Sequence, residues 1–239
     1  MPVAIRWDEI NAVPSKLDTS NFKAVVFPGG FSYGYKSKIG YSTTSGGGKN
    51  VSDFIAAGGG ALGICAGSFY LSSICHWAGT DYPYLGIFAG TDSGPITLQD
   101  HNRPGQNMEP IHGMTLASVH VNDSALYPGG NEFNMFQVYY GGGYKTGGTF
   151  SSSVTYNAGY DSYDSENPSV AGYNDAIRFT YGSHSGHVYL IGTHPEVRSD
   201  GSLADWLLWS NYDTNGTALS NPDNPWTFID KVFDNWVAL

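Results

Sequence analysis

Gly59-Gly60-Ala61-Leu62-Gly63-Ile64-Cys65-Ala66-Gly67-Ser68-Phe69-Tyr70 reads as a short apolar strand, a Gly-x-Cys-x-Gly turn, and a helix from Ser68 to about Ile74. A strand that turns straight into a helix strains its corner residue, and neighbours larger than glycine or alanine clash there. The corner side chain is lifted out of the sheet at a helix N-terminus, where backbone N–H groups favour a thiolate and a developing oxyanion. The pattern is a nucleophile elbow with cysteine in place of serine. Taken alone, Gly-x-Cys-x-Gly more often marks a small buried core cysteine. The rest of the chain decides between the two.

Upstream, Phe22-Lys23-Ala24-Val25-Val26-Phe27 is an apolar run ending in Pro28-Gly29-Gly30-Phe31, the pattern of a buried parallel strand whose exit lets the backbone approach something closely. Val3–Trp7 alternates like a strand end, Ile10–Leu17 reads as a loop, and Ser42–Lys49 as a mobile polar stretch. Val51–Ala57 is predicted as a short helix with Asn50 as N-cap, ended by Gly58–Gly60. The strand–helix–strand spacing implies a parallel crossover.

Downstream, short alternating runs at Pro95–Leu98, Thr115–Val121 and Asn134–Tyr140 predict antiparallel strands added to the parallel sheet. Gly141-Gly142-Gly143 is another place for backbone to face a ligand. Ser169–Tyr173 and Ala176–Tyr181 read as strands, and Gly186–Gly192 as a buried strand delivering Thr193-His194-Pro195-Glu196. Leu203–Ser210 and Trp226–Val237 are predicted amphipathic helices. No repeat or linker divides the 239 residues, which fit one domain with a sizeable core.

Charged residues make up 13% of the chain, about half the usual quarter. The formal charge of −10 argues against nucleic acid and anionic membranes as partners. No apolar run approaches the ~20 residues of a membrane span, and residues 1–6 lack the pattern of a signal peptide. Sequons at Asn50, Asn122 and Asn215, with scarce lysine, nonetheless favour a secreted glycoprotein whose leader lies outside this sequence over a cytoplasmic one. Cys65 and Cys75 are the two cysteines; along a helix they would stand roughly 15 Å apart, too far for a disulfide. Cys75 is then either a core thiol or has its partner elsewhere.

His194 and Glu196 are two residues apart, and in an extended segment such residues point the same way. A carboxylate so placed can orient an imidazole, which can deprotonate a thiol. Pro28-Gly29-Gly30, Gly63-Ile64-Cys65-Ala66-Gly67 and Thr193-His194-Pro195-Glu196, in that order and spacing, resemble the class I glutamine amidotransferase-like superfamily. Within it, Gly63–Tyr70, Leu85–Pro95, Tyr139–Gly143 and Val170–Glu196 resemble the biotin-protein ligase N-terminal-domain family.

The resemblance implies a three-layer α/β/α flavodoxin-like fold with a mostly parallel central sheet and extra antiparallel strands. It implies Cys65 as nucleophile, His194 as general base and Glu196 as its orienting acid. The oxyanion hole would come from the N–H groups of Ala66 and Gly30. The expected reaction is attack on an amide or peptide-like small substrate through an acyl-thioester, with no cofactor or metal. Glutamine-hydrolysing members carry glutamine four residues after the cysteine; Phe69 stands there instead, so free glutamine is not the expected substrate. Relatives begin with a strand and helix that this chain lacks, so Met1 is read as a boundary, and cysteines in that missing segment would supply a disulfide partner for Cys75.

Phe31, Phe69 and Tyr140, with Gly142, are candidate substrate contacts, and Tyr70 and Tyr139 could join an aromatic pocket; packing in the core explains such rings equally well. His184-Ser185-Gly186-His187 reads as a solvated turn rather than a metal pair, His112 and His120 as partnerless histidines, and Asp161–Glu166 as an acidic loop without calcium-site spacing. Two other classes stay open: a catalytically silent binding or structural domain on the same fold, and a redox sensor whose elbow cysteine oxidises.

Overall fold

Apolar runs punctuated by glycine build the centre of the sheet. A computed structural model of the chain describes residues 3–96, 115–130, 132–157, 170–196 and 225–238. Its elements begin with α1 (Trp7–Asn11), β1 (Ala24–Phe27), α2 (Ser32–Lys38), α3 (Gly46–Ala56), β2 (Gly60–Ile64), α4 (Ala66–Leu71), β3 (Ser72–Trp77), β4 (Thr80–Pro83) and β5 (Phe88–Gly94). They continue with β6 (Thr115–Val121), β7 (Phe133–Tyr139), β8 (Tyr144–Thr146), β9 (Ser151–Tyr156), β10 (Asn174–Tyr181) and β11 (Gly186–Ile191). The last is α5 (Pro225–Val232), which runs into a π-helical turn, Phe233–Val237.

The described strands pair in the order β1-β2-β11-β10-β8-β5-β3-β4, with β9 joining β10 to the β6–β7 pair. β1, β2 and β11 are mutually parallel, as are β3 and β5; the other described pairings are antiparallel. Both faces of the parallel centre are covered, as parallel sheets require. Leu62 and Ile64 of β2, with Tyr189 and Ile191 of β11, pack with Phe228, Ile229 and Val232 of α5. Their alternate neighbours Ala61, Val188 and Leu190 pack with Val51, Phe54 and Ile55 of α3 and with Phe69, Tyr70 and Leu71 of α4. The result is the expected α/β class, with helices on both sides of the sheet.

Several local expectations change. Val3–Trp7 forms no strand; α1 starts at Trp7, where the Glu9 carboxylate accepts the Arg6 N–H at 3.0 Å. α3 begins at Gly46, so the three glycines form its first turn and Asn50 lies inside the helix rather than at its cap. A Cβ on Gly47 would stand 2.7 Å from the Ile39 carbonyl oxygen, and one on Gly48 would stand 2.7 Å from the Ser42 carbonyl oxygen. Close approach of neighbouring backbone demands the glycines there. Val170–Tyr173, the described part of the expected strand from Ser169, is a turn closed by Tyr173 N–H to Val170 O at 2.9 Å. The expectations for Thr97-Leu98, His112, Asp161–Glu166, Leu203–Ser210 and Asn215 lie outside the described residues.

The elbow helix is shorter than predicted. It ends at Leu71, where the Ser72 hydroxyl takes the Ser68 carbonyl at 2.9 Å and the backbone turns extended. Ser72–Trp77 is instead the first strand of a hairpin, turned by Ala78 and Gly79, both at positive φ (48° and 79°), with Trp77 opposite Thr80. A two-residue turn with both φ positive matches the twist of the paired strands.

Candidate functional site

The elbow has the strained geometry its glycines anticipate. Cys65 sits at φ 48°, ψ −105°, between the fully buried β2 and α4. Such a conformation costs on the order of 1–3 kcal/mol in a non-glycine residue and persists only when its surroundings enforce it. They do so here through close packing. A Cβ on Gly63 would stand 2.9 Å from the Gly67 carbonyl group, and one on Gly67 would stand 1.9 Å from Phe27 O. The Cys65 N–H is tied to Ile191 O at 2.8 Å, which fixes the corner to β11. Ala66 opens α4, so its N–H has no acceptor within the helix.

β11 ends at Ile191, and the chain reaches His194 through a bend, not as continued strand. Pro195 and Glu196 lie in a turn, so the same-side argument for an extended segment does not hold, yet the pair forms: His194 Nδ1 and Glu196 Oε1 are 2.8 Å apart. The His194 N–H donates to Val138 O at 2.6 Å, pinning the residue to β7. A Cβ on Gly29 would stand 2.4 Å from His194 Cε1, so the Pro28-Gly29-Gly30 loop lies directly against the ring. Gly30 has open space around it and needs glycine for its φ of 135°.

Among the described residues, the buried His194 Nε2 has no hydrogen-bond partner. Burial alone would push this imidazole down; the adjacent Cys65 sulfur and the hydrogen-bonded Glu196 carboxylate outweigh it and raise the ring to about 10. The sulfur is therefore beside the imidazole, although Sγ donates its own hydrogen bond to the Tyr140 carbonyl at 3.5 Å.

Cys65 and Ala66 open onto a cavity of about 550 Å³, and seven of its thirteen lining residues are aromatic. Phe69, Trp77 and Tyr84 form the inner wall, Phe69 meeting Trp77 edge-on at 5.5 Å. Phe31, Tyr33, Tyr82 and Tyr140 also line it, with 75%, 58%, 44% and 48% of their surface exposed. Of the predicted contacts, Phe31, Phe69 and Tyr140 are here. Gly142 is not: it is pressed against Gly192, where a Cβ would stand 1.9 Å from that carbonyl oxygen, and Gly141 lines the cavity instead. Tyr70 and Tyr139 are wholly buried, their hydroxyls donating at 2.9 Å to Gly40 O and Gly142 O. Trp77, Tyr82 and Cys75 come from the unforeseen hairpin, whose sequence signal is the Ala78-Gly79 pair between two alternating runs. Cys75 is a free thiol, and burial first, then the Asp92 charge, pushes it up to about 12, so it is unreactive near neutral pH.

A second feature had no sequence warning beyond a lone lysine between glycine-rich turns. Lys145 is fully buried with Asp92 and Asp175. Its ammonium donates to the Asp175 carbonyl oxygen at 2.7 Å and lies 3.7 Å from Asp92 Oδ2, which accepts the Ser68 hydroxyl at 2.5 Å. Asp175 Oδ1 accepts the Thr193 N–H at 2.9 Å. Burial raises both carboxyls, with Lys145 pulling the other way. The Thr193 hydroxyl lies 2.7 Å from Asp175 Oδ2 and 2.5 Å from Gln137 Oε1. A protonated Asp175 satisfies both contacts by donating to the hydroxyl, which then donates to Gln137. The cluster thus grips the residue before His194 and the elbow helix three residues after Cys65.

The remaining candidates resolve differently. The Asn50 amide nitrogen, the atom a glycan would occupy, donates to Ile10 O at 2.7 Å, and Ser52 of the same sequon is buried; this site is a structural contact. Asn122 is exposed. His120 is not partnerless, since Nδ1 faces Asn134 Oδ1 at 2.9 Å. His187 stacks on Trp236 at 4.4 Å, and the described residues hold no cluster suited to a metal ion. No helix among them is long and apolar enough to cross a membrane.

Comparison with known proteins finds chains similar to this one. A biotin–protein ligase of Schizosaccharomyces pombe is 25% identical over 211 residues, which are 83% of this chain and 29% of that protein. The chain therefore spans under a third of that relative's length. Among solved structures, PurLQS from Thermotoga maritima aligns with 75% of this chain and 71% of its own, at TM-score 0.45 and 16% identity. A Thermoplasma acidophilum protein, provisionally described as part of a GMP synthase, aligns with 74% and 64% at TM-score 0.39 and 15% identity. The sequence model of the family described as "Biotin-protein ligase, N terminal" matches residues 16–206, well over half the chain, which thus belongs to that family.

Proposed function

We propose that the chain is an amidotransferase-like cysteine hydrolase acting on an amide or peptide-like substrate through an acyl-thioester. The observation that carries the reading is a strained cysteine at the floor of a cavity, beside an imidazole whose Nδ1 is held by Glu196 and whose Nε2 is buried without a partner. His194, an imidazolium at neutral pH, carries on Nε2 the proton given up by Cys65, and the thiolate Sγ bonds to the carbonyl carbon. The resulting oxyanion is held by the Ala66 N–H and the Gly30 N–H. The C–N bond then breaks, and the amine leaves with the proton from His194. Water or another acceptor, deprotonated by His194, cleaves the C–S bond and frees the acyl group. Glu196 stabilises the imidazolium throughout.

The test is to incubate the protein with p-nitrophenyl acetate and map the acyl adduct by peptide mass spectrometry. A thioester on Cys65 is expected, absent in Cys65→Ser and formed about 10²–10⁴-fold more slowly in His194→Ala. An unmodified Cys65 overturns the reading. A catalytically silent domain is the second reading, favoured by the sulfur's hydrogen bond to Tyr140 O in place of one to His194. Secretion is proposed on the exposed Asn122 sequon alone, and a mass loss on peptide-N-glycosidase treatment of the native protein tests it.

A further inference from the structure

Resting on the proposed acyl-transfer reading, we infer that the cavity over Cys65 selects an uncharged acyl group carrying an aromatic ring, as in an arylacyl amide or ester. Its lining is what decides this. Beside the seven aromatic residues it holds Gly30, Ser32, Cys65, Ala66, Cys75 and Gly141, with no Asp, Glu, Lys, Arg, His, Asn or Gln among the described residues. An amino-acid substrate such as glutamine brings an ammonium and a carboxylate, each of which needs a charged or amide partner once out of water. A sugar brings several hydroxyls with the same need for amide or carboxylate acceptors.

A cationic guest is disfavoured for a separate reason. The Lys36 ammonium, which does not line the cavity, donates to Pro83 O at 2.7 Å and lies 5.0 Å from the centre of the Tyr84 ring. That ring already serves one cation, and a second in the cavity would meet it as a like charge. A neutral aromatic ring meets none of these objections. It stacks against Phe69 and Trp77, themselves packed edge-on. The volume of about 550 Å³ also exceeds what an acetyl group fills and is that of a drug-sized ligand. The four partly exposed rings gain cover when such a group enters.

The experiment separates binding from turnover. Phenylacetamide, acetamide, L-glutamine and benzyltrimethylammonium are titrated by calorimetry into the wild-type protein and into Cys65→Ser. Phenylacetamide is expected to bind at least tenfold more tightly than the other three, and Phe31→Ala and Trp77→Ala each to weaken it at least fivefold. Phe31 is exposed, so its replacement leaves the fold intact even if that of Trp77 does not. Equal affinities, a preference for glutamine or the ammonium compound, or indifference to Phe31→Ala overturns the assignment. Aromatic-selective binding without any Cys65 thioester leaves this inference standing and removes only the catalytic reading beneath it.

Discussion

Ser68 and Phe69 are neighbours in α4, yet they face opposite chemical worlds. Phe69 joins a cavity wall without a charged group, while Ser68 donates to Asp92 in a fully buried cluster of one ammonium and two carboxyls. The first region is open and apolar, and four of its seven rings keep much of their surface exposed. The second is closed and ionic. The contrast teaches that the elbow's position is set by the closed side, through Ser68 and Thr193, whereas the space in front of it is shaped by the open side. Anchoring of the elbow and the shape of the cavity are thereby assigned to different residues.

The contrast is broken most directly at Lys145. Lys145→Met leaves the buried Asp92 carboxylate without its counter-charge and is expected to cost about 3–5 kcal/mol in chemical denaturation; a loss under about 1 kcal/mol would mean the pair is not ionised. Ser68→Ala removes the one hydroxyl on Asp92, whose Oδ1 already has no partner among the described residues, for about 1–3 kcal/mol.

A pH effect follows from His194. Its folded value of about 10 lies above the usual 6.5, so the stability it confers is fully present below pH 6.5 and is lost as pH rises towards 10. Denaturation midpoints should fall across that window, by up to about 1.4 kcal/mol per pH unit, and His194→Gln should flatten the slope. Smallest is Phe31→Ala, expected to change stability by less than about 0.5 kcal/mol because the ring is 75% exposed. A large loss there would merge the two regions.

The parts of the site legible in the sequence are those where sterics leave little choice. Gly63 and Gly67 must lack side chains for Cys65 to turn the corner, so their spacing announces the elbow. His194 and Glu196 are close enough in sequence to meet whether the segment is extended or turned. The hairpin was hidden because Ser68–Ile74 has equal claim to helix, and the outcome rests on Ser72 capping the Ser68 carbonyl and on pairing of β3 with both β4 and β5. Lys145, Asp92 and Asp175 stand far apart along the chain, and only β8, β5 and β10 lying side by side unites them. Asn50 shows the same limit from the other side: a sequon is a local pattern, and the 40-residue reach to Ile10 that engages its amide is not.

The hairpin at the sheet's margin bears on how such a protein can change over generations. β4 bonds only to β3 and forms the outer margin of the described sheet, and this two-strand flap supplies Trp77 and Tyr82 to the cavity while Cys65 and His194 are anchored to other strands. Mutations in the flap can therefore remould the cavity and leave Cys65 and His194 where they are, so cousins of this chain are free to keep one elbow beneath differently shaped mouths.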